Sequence, residues 1–164
     1  MIGNDIIDLQ LARTQSNWQR PKYLEKIFTI DEQNLIKRAK NQELEIWKLW
    51  SRKEAAYKIY NRETGIKGYF PWKLKCSISK KTDSNPIDKV TIEDKCYYTK
   101  TYVNYNYVYT IAATSMCLFD KIFEINQNQE VIKINGLPCL KKNKKPVSVT
   151  HHGRFERKIG LLDL

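Results

Sequence analysis

The chain has 164 residues, of which 41% are hydrophobic and 12% aromatic, so it is large and apolar enough to fold around a core, which excludes a disordered protein. Its 29 lysines and arginines outnumber 18 acidic residues and give a formal net charge of +11. This excess predicts an anionic partner, which could be nucleic acid, anionic lipid, an acidic protein or a phosphorylated cofactor. We expect a single domain over residues 1–164.

The N-terminus and the cysteines indicate a cytoplasmic protein without a membrane association. Asp5 and Asp8 interrupt the apolar residues of the N-terminus, so this end lacks the pattern of a signal peptide, and no apolar run of about 18 residues occurs. The four cysteines are widely spaced and form no Cys/His cluster of the kind that binds zinc. We therefore expect buried free thiols in a reducing compartment.

The first predicted element is a short strand at residues 2–9, IGNDIIDL. These residues are β-branched or apolar at most positions and are bounded by polar residues, which is typical of a strand. Because side chains alternate along a strand, Asp5 is expected on the same face as Ile7 and Leu9. The sequence thus predicts an acid on an apolar face.

Two helices are predicted next. Thr29 and Glu32 have the spacing of a capping box, which indicates a short helix over residues 30–40. A longer helix is predicted over residues 43–61, because this segment has no Gly or Pro and carries apolar residues at helical intervals.

Glu54 is the unusual residue of the longer helix. At about 100° per residue, it projects from an apolar stripe between Trp47 and Trp50. An ordinary i,i+4 pair with Lys58 on a partly exposed face would contribute only about 0.3–0.5 kcal/mol. An ionised carboxylate on an apolar stripe costs several kcal/mol unless a cation or hydrogen bonds compensate for it. We therefore expect a positive group opposite Glu54.

The remainder of the chain is predicted to consist mainly of strands. The predicted segments, in chain order, are a turn-rich end of the long helix at 64–72, a strand at 74–79, a loop at 80–86, paired strands within 88–116 and short elements at 119–125 and 131–136. The paired strands are expected to separate near Asn104 and Asn106. The predicted fold class is α+β, with an antiparallel sheet packed against a long helix.

The segment KKNKKPVSVTHH, residues 141–152, places concentrated positive charge before the two histidines of the chain, His151 and His152. A solvated lysine loop and surface histidines would be the ordinary interpretation. Their position after the strand-like VSVT is also a plausible setting for phosphate recognition. The residues alone leave both interpretations open.

Asp5 and Glu54 would repel each other if they faced one another without a counterion. Carboxylate oxygens favour a hard cation, and a site with only two protein ligands leaves positions for water and phosphate oxygens. This arrangement describes magnesium that holds a phosphorylated substrate. Lys58, one turn after Glu54, could place its ammonium near the same phosphate group.

Four segments resemble motifs of the 4'-phosphopantetheinyl transferase superfamily. Residues 3–5, GND, resemble its G-x-D strand, and residues 50–58, WSRKEAAYK, are similar to its W-S/A-x-K-E-A-x-x-K helix. Residues 28–32, FTIDE, resemble the F/L-T-x-x-E that lies between them. Residues 148–151, SVTH, resemble the S-x-S/T-H segment, which the short holo-acyl-carrier-protein synthases place after the helix, as here.

The resemblance implies an activity and a set of site residues. The activity is magnesium-dependent transfer of the 4'-phosphopantetheine arm of coenzyme A to a serine of an acyl or peptidyl carrier protein, with release of 3',5'-ADP. Asp5 and Glu54 are the implied magnesium ligands, and Glu54, directly or through a water, is the implied acceptor of the serine proton. Lys58 is the second implied catalytic residue, near the pyrophosphate. The residues expected at the coenzyme phosphates are Lys58, Ser148, Thr150 and His151.

The resemblance also implies protein partners. Carrier proteins of this kind are typically acidic, so the positive charge of the chain would steer both the carrier and the coenzyme toward it. The candidate docking residues are Arg13, Arg20, Lys22, Lys37, Arg38 and Lys40. One set of motifs suggests that copies associate, with a trimer favoured and a monomer possible. Fatty acid biosynthesis is the expected pathway class.

The main alternative is a basic, non-catalytic nucleic-acid-binding module, because lysines and tyrosine-rich strands can hold a single strand. That function does not account for Asp5 or Glu54, since a nucleic-acid groove gains nothing from acids on apolar faces. We therefore expect no nucleic acid among the partners. A degenerate family member that serves as a scaffold is a third alternative, against which the intact Asp5, Glu54 and Lys58 argue.

Overall fold

A computed structural model describes residues 1–77, 86–126 and 128–162 of the chain. The α-helices within these residues are α1 (Leu9–Gln15), α2 (Tyr23–Ile27), α3 (Ile30–Arg38) and α4 (Gln42–Thr64). The strands are β1 (Ile2–Asp8), β2 (Lys75–Cys76), β3 (Asp88–Ile92), β4 (Lys95–Val103), β5 (Tyr107–Ala113), β6 (Ile122–Glu124), β7 (Val131–Ile134), β8 (Leu137–Leu140), β9 (Ser148–His152) and β10 (Phe155–Leu161). Short 3₁₀ helices occupy Pro71–Lys73 and Met116–Lys121.

The main sheet has five antiparallel strands in the order β1-β5-β4-β3-β2, and α4 packs against it. The apolar stripe of α4 meets the sheet, because Ile46, Trp47 and Tyr60 are buried in the core, and Trp50 and Tyr57 are half-buried against it. Burial of each large apolar side chain contributes roughly 1.5–3 kcal/mol. The predicted α+β class, with a long helix on an antiparallel sheet, is confirmed.

β1 approaches α4 closely because residue 3 has no side chain. A Cβ added to Gly3 would collide with the backbone carbonyl oxygen of Ala55 and lie 3.2 Å from Cγ1 of Ile59. Alternation along the strand places Asp5 and Ile7 on the same face as Gly3. The close contact therefore brings the Asp5 side chain to the surface of α4.

Gly3→Ala is expected to lower the free energy of unfolding by nearly 3 kcal/mol, the upper end of the roughly 1–3 kcal/mol range for overpacking. The loss is large because the added methyl group meets the backbone of α4, which cannot move aside as a flexible side chain can. Gly65→Asn is the control, since Gly65 ends α4 with φ of 70° and has nothing within 4 Å of an added Cβ, and Asn tolerates this left-handed conformation. Urea denaturation of both variants measures the difference. Equal losses of stability would contradict the close-packing account.

Most predicted elements are present, and two helices were not predicted. α3 and α4 agree with the predicted helices within three residues at each end, and β4 and β5 separate at 104–106 as expected. α1 and α2 lie within residues 9–27, for which no helix was predicted. The strand predicted at 74–79 is described only at Lys75–Cys76, and residues 78–85 of this strand and of the following loop lie outside the described residues.

The cysteines are all free thiols, and two of them are buried as predicted. The prediction of a buried thiol is wrong for Cys96 and Cys117, which are exposed. Cys96 alternates along β4 with the buried Tyr97, so its side chain faces away from the core. Within the described ranges, no helix combines the length and the apolar character needed to cross a membrane.

A buried ion pair joins α3 to α4. The Lys53 Nζ and the Glu32 Oε2 atoms are 2.7 Å apart, and both side chains are fully buried. The further acceptors of the Lys53 ammonium are the carbonyl oxygens of Ile27 at 3.2 Å, Pro71 at 2.9 Å and Leu74 at 2.5 Å. Glu32 accepts the backbone N–H of Thr29, which completes the predicted capping box, and that of Cys76. Two residues of the family-like motifs thus stabilise the fold rather than face the site.

The C-terminal strands cover the edge of β1 that does not pair with β5. β6, β10 and β9 form a three-stranded antiparallel sheet, and β7 and β8 form a separate hairpin. β9 lies beside β1, so the S-x-T-H segment is next to the strand that carries Asp5.

Candidate active site

Asp5, Glu54 and Lys58 form one cluster where β1 crosses α4. Ser51 Oγ donates to the carbonyl oxygen of Asp5 at 3.4 Å, which fixes the strand against the helix. The two carboxylates lie close enough that the charge of Asp5 raises the pKa of Glu54. The Lys58 Nζ is 3.9 Å from Oδ1 of Asp5. Asp5 on β1 therefore lies close to Glu54 and Lys58 on α4, although these segments are distant in the sequence. A shared site needs this proximity.

The Asp5 carboxylate is buried and one of its oxygens lacks a partner. Its Oδ1 accepts a hydrogen bond from the Thr150 hydroxyl at 3.4 Å, whereas its Oδ2 has no hydrogen-bond partner among the described residues. Burial raises the pKa of Asp5 to about 6, and the positive charge of Lys58 opposes this rise. A buried carboxylate oxygen without a donor is unfavourable unless a cation or a ligand supplies the missing interaction.

Glu54 is half-buried on the face of α4 that is turned toward Asp5. Burial and, to a lesser extent, the charge of Asp5 raise the pKa of Glu54 to about 7, although the charge of Lys58 opposes the rise. Neighbouring carboxylates repel each other when both are ionised, and a divalent cation bound by both offsets this repulsion.

The metal-free protein is expected to lose stability as the pH rises from about 4.5 to about 7, the ordinary and the folded pKa of Glu54. Between these values the folded protein keeps a proton that the unfolded chain has released, so the free energy of unfolding falls as the pH rises. Denaturation in the presence of a chelator measures this slope, which should be smaller in Glu54→Gln. The same slope in both proteins would contradict the burial of an uncompensated charge at Glu54.

Lys58 is held between β1 and β9. Its Nζ donates to the carbonyl oxygen of Asn4 at 2.6 Å and to that of Val149 at 3.3 Å. Burial lowers the pKa of Lys58, whereas the charges of Asp5 and Glu54 oppose this change. Its side chain is 32% exposed, so the ammonium is fixed by protein on one side and accessible on the other.

β9 bonds to the edge of β1 through side chains instead of backbone groups. Three backbone N–H groups of β1 donate to side chains of β9, from Asn4 to Ser148 Oγ at 2.9 Å, from Ile6 to Thr150 Oγ1 at 3.1 Å and from Asp8 to His152 Nδ1 at 2.9 Å. Ser148 and Thr150 are buried, and their hydroxyl oxygens accept backbone N–H groups of β1. His151 alternates to the other face of β9, where it is exposed. A contact of Ser148, Thr150 or His151 with coenzyme phosphates stays a prediction.

The turn after β9 is fastened to the end of β1. Arg154 donates to both oxygens of the Asp8 carboxylate, from Nε at 2.8 Å and from Nη2 at 2.9 Å. This bidentate pair holds the pKa of Asp8 well below its usual range. Gly153, at φ of 56°, lies so close that an added Cβ would be 2.6 Å from Oδ2 of Asp8. The pair fixes β9, and with it the Val149 carbonyl group that binds Lys58.

A basic cavity of about 510 Å³ opens beside Lys58, between α4, β9 and the β7–β8 hairpin. The basic side chains that line it are Lys58, Arg62, Lys133, His151 and Lys158. No acidic side chain is among its lining residues in the described part of the chain. A volume of this size fits a small-molecule ligand, and the lining favours an anionic one.

The lysine run at 141–145 lies away from Lys58. Lys141, Lys142 and Lys145 line a different cavity of about 640 Å³, which contains none of the predicted site residues. Lys141 pairs with Glu130 at 2.8 Å, and both side chains are largely exposed. For Lys141 the geometry favours the ordinary interpretation of a solvated lysine loop.

Two parts of the site were missed by sequence reasoning. The first is the turn after α4, where the Tyr69 ring packs against Trp50 and Tyr57 on either side of Glu54. The second is the β7–β8 hairpin, which forms a wall of the basic cavity. Neither carries a motif, and the aromatic character of Tyr69 within a turn was the only available signal.

The predicted motifs agree with a known family. The family model that matches the chain is ACPS, the 4'-phosphopantetheinyl transferase superfamily, and it matches residues 1–114. The chain belongs to this superfamily. The matched residues of this phosphopantetheinyl transferase include Asp5, Glu54 and Lys58, whereas the S-x-T-H segment lies beyond them.

A solved structure has a similar fold. It is titled as the apo-ACPS structure of Chronobacterium ammoiniagenes, and it superimposes with a TM-score of 0.53 at 12% sequence identity, covering 68% of this chain and 93% of that chain. At this identity the likeness concerns the fold alone, which the chain shares with that ACPS structure. No curated protein matches the chain in sequence.

Proposed function

We propose that this phosphopantetheinyl transferase is of the holo-acyl-carrier-protein synthase type. It transfers the 4'-phosphopantetheine group of coenzyme A to a serine of an acyl or peptidyl carrier protein in a magnesium-dependent reaction that releases 3',5'-ADP. The observation that carries the proposal is the meeting of Asp5 and Glu54 at a buried, unpartnered carboxylate oxygen beside Lys58. The basic cavity next to Lys58 supports a phosphorylated co-substrate.

The residues of the cluster fit a magnesium ion. Asp5 and Glu54 offer carboxylate oxygens, the ligand type that Mg²⁺ prefers, and the unpartnered Oδ2 of Asp5 is available for coordination. No group of three or more His, Cys, Asp or Glu side chains that could hold a metal occurs in the described residues, so these two acids are the ligands we assign. When bound, the ion supplies positive charge that orients a diphosphate and stabilises the charge that develops on it.

The reaction makes one phosphorus–oxygen bond and breaks another. The serine oxygen of the carrier attacks the phosphorus that bears the pantetheine, and the bond from this phosphorus to the oxygen of 3',5'-ADP breaks. Glu54, directly or through a water, accepts the serine proton. Lys58 places its ammonium, fixed by two carbonyl groups, near the departing oxygen.

The coenzyme occupies the basic cavity in this proposal. Lys58 and His151 contact its phosphates, because both side chains border the cavity and both are accessible. Ser148 and Thr150 keep the cavity wall in place through their hydrogen bonds to β1. Both hydroxyl protons are donated to side chains of β1, so each oxygen retains one lone pair, which can accept from a bound water that in turn donates to a phosphate.

The partner is an acidic carrier protein, such as one of fatty acid biosynthesis. The support is the charge of +11 and the exposure of the six candidate docking residues, Arg13, Arg20, Lys22, Lys37, Arg38 and Lys40. A trimer remains the favoured assembly, with a monomer as the alternative. We also propose a cytoplasmic location, which the free state of the cysteines supports.

The test is mass spectrometry of apo carrier proteins incubated with the enzyme, coenzyme A and Mg²⁺. A phosphopantetheine-sized gain is expected, and it should disappear with Asp5→Ala or with a chelator. No gain on any carrier would count heavily against the enzyme. Nucleic-acid binding is distinguished by a parallel titration, because magnesium-dependent coenzyme A binding, unlike salt-sensitive oligonucleotide binding, should vanish in Glu54→Ala.

A further inference from the structure

Tyr69 covers Glu54 from the turn that follows α4. Its ring centroid is 5.7 Å from that of Trp50 and 4.9 Å from that of Tyr57, in edge-to-face contacts. Trp50 lies one helical turn before Glu54, and Tyr57 lies about one turn after it. A ring that touches both therefore lies over the Glu54 side chain.

The Tyr69 hydroxyl is buried under this aromatic cover and has no hydrogen bond of ordinary geometry to the described residues. Such a buried hydroxyl is rare and indicates a partner that is not yet engaged. Glu54 is the acceptor to which the ring contacts point, because they place Tyr69 over its side chain. Hydrogen bonds in active sites are often long without ligands and shorten when the ligand binds.

We propose that Tyr69 is a positioning residue whose hydroxyl donates to one oxygen of the Glu54 carboxylate and thereby directs the other oxygen toward Asp5. This inference rests on the proposed function, in which Asp5 and Glu54 hold the divalent ion. The segment after Tyr69 is anchored, because the Lys53 ammonium binds the carbonyl groups of Pro71 and Leu74. The ring contacts and this anchor hold the hydroxyl in place before any ligand arrives.

The test is a titration of Mn²⁺, followed by electron paramagnetic resonance, into the wild type, Tyr69→Phe, Glu54→Gln and the double variant. Tyr69→Phe keeps the ring and removes one oxygen, so the fold should persist. It is expected to weaken Mn²⁺ binding about tenfold, since loss of a group that orients a metal ligand typically costs about 10–100-fold. In the Glu54→Gln background it should cause no further loss. Carrier modification should show a fall in kcat of similar size, with the KM for coenzyme A changed by less than about twofold.

Tyr60→Phe is the matched control. The Tyr60 hydroxyl donates to Oε2 of Glu93 at 3.0 Å. The variant therefore removes a tyrosine–glutamate hydrogen bond that starts from α4, the helix of Glu54, but lies outside the site. Mn²⁺ affinity should be unchanged in this variant. If Tyr69→Phe binds Mn²⁺ as tightly as the wild type, the role of Tyr69 is overturned and the metal site is unaffected. If the wild type binds Mn²⁺ no more tightly than Glu54→Gln does, the proposed metal site is overturned as well.

Discussion

Glu54→Gln is expected to lower kcat/KM for carrier modification by at least about a thousandfold, because it removes the proposed proton acceptor and one of the two proposed metal ligands. Glutamine keeps the size of the side chain and its preference for a helix, so α4 should be unaffected. The variant also removes a charge whose ionisation burial disfavours, so the metal-free fold should be at least as stable as the wild type at pH 8. A time course of carrier mass measures the loss of activity.

Glu45→Gln is the control for this prediction. Glu45 lies on the same helix, its side chain is 14% exposed, and it pairs with Lys48 at 2.8 Å outside the cluster. This variant should retain activity within about twofold, because Glu45 and Lys48 lie outside the cluster of Asp5, Glu54 and Lys58. Near wild-type turnover in Glu54→Gln would contradict the role of Glu54 and, with it, the proposed chemistry.

The part of the site that could be predicted depends on local patterns. Asp5 could be placed on the apolar face of a strand because strand alternation has a period of two, and Glu54 on the apolar stripe because a helix turns about 100° per residue. Both patterns show a carboxylate where packing alone would not put one. The family-like motifs then supplied the reason to expect these two faces to meet.

The part that could not be predicted depends on contacts between distant segments. Nothing local in Ser148 or Thr150 indicates that their oxygens bind backbone N–H groups of β1. Lys53 is adjacent to Glu54 in the sequence, yet its side chain is fully buried and pairs with Glu32. In the sequence, nothing distinguishes Tyr69 from other aromatic residues in turns, and only the structure shows that its ring contacts Trp50 and Tyr57. Such roles depend on tertiary packing, which sequence periodicity does not encode.

Lys53→Ala is expected to destabilise the protein by roughly 3–5 kcal/mol, the typical cost of removing one partner of a buried ion pair. The variant leaves the fully buried Glu32 without its cation, and it removes the ammonium group that donates to the carbonyl groups of Ile27, Pro71 and Leu74. It also opens a cavity where the lysine stem was packed. Equilibrium denaturation in urea measures the loss. Glu32→Gln, which keeps the shape of the partner, is the second variant if Lys53→Ala does not fold.

Lys48→Ala is the control, because Lys48 on the same helix pairs with Glu45 near the surface and should contribute less than about 1 kcal/mol. A similar loss in both variants would contradict the structural role of Lys53. The carbonyl groups of Pro71 and Leu74 connect this pair to the turn that carries Tyr69. Folded Lys53→Ala protein should therefore also bind Mn²⁺ more weakly, although Lys53 does not face the metal ligands. Two adjacent residues of α4 would then have separate roles, because Lys53 anchors the turn that carries Tyr69 and Glu54 is the proposed proton acceptor.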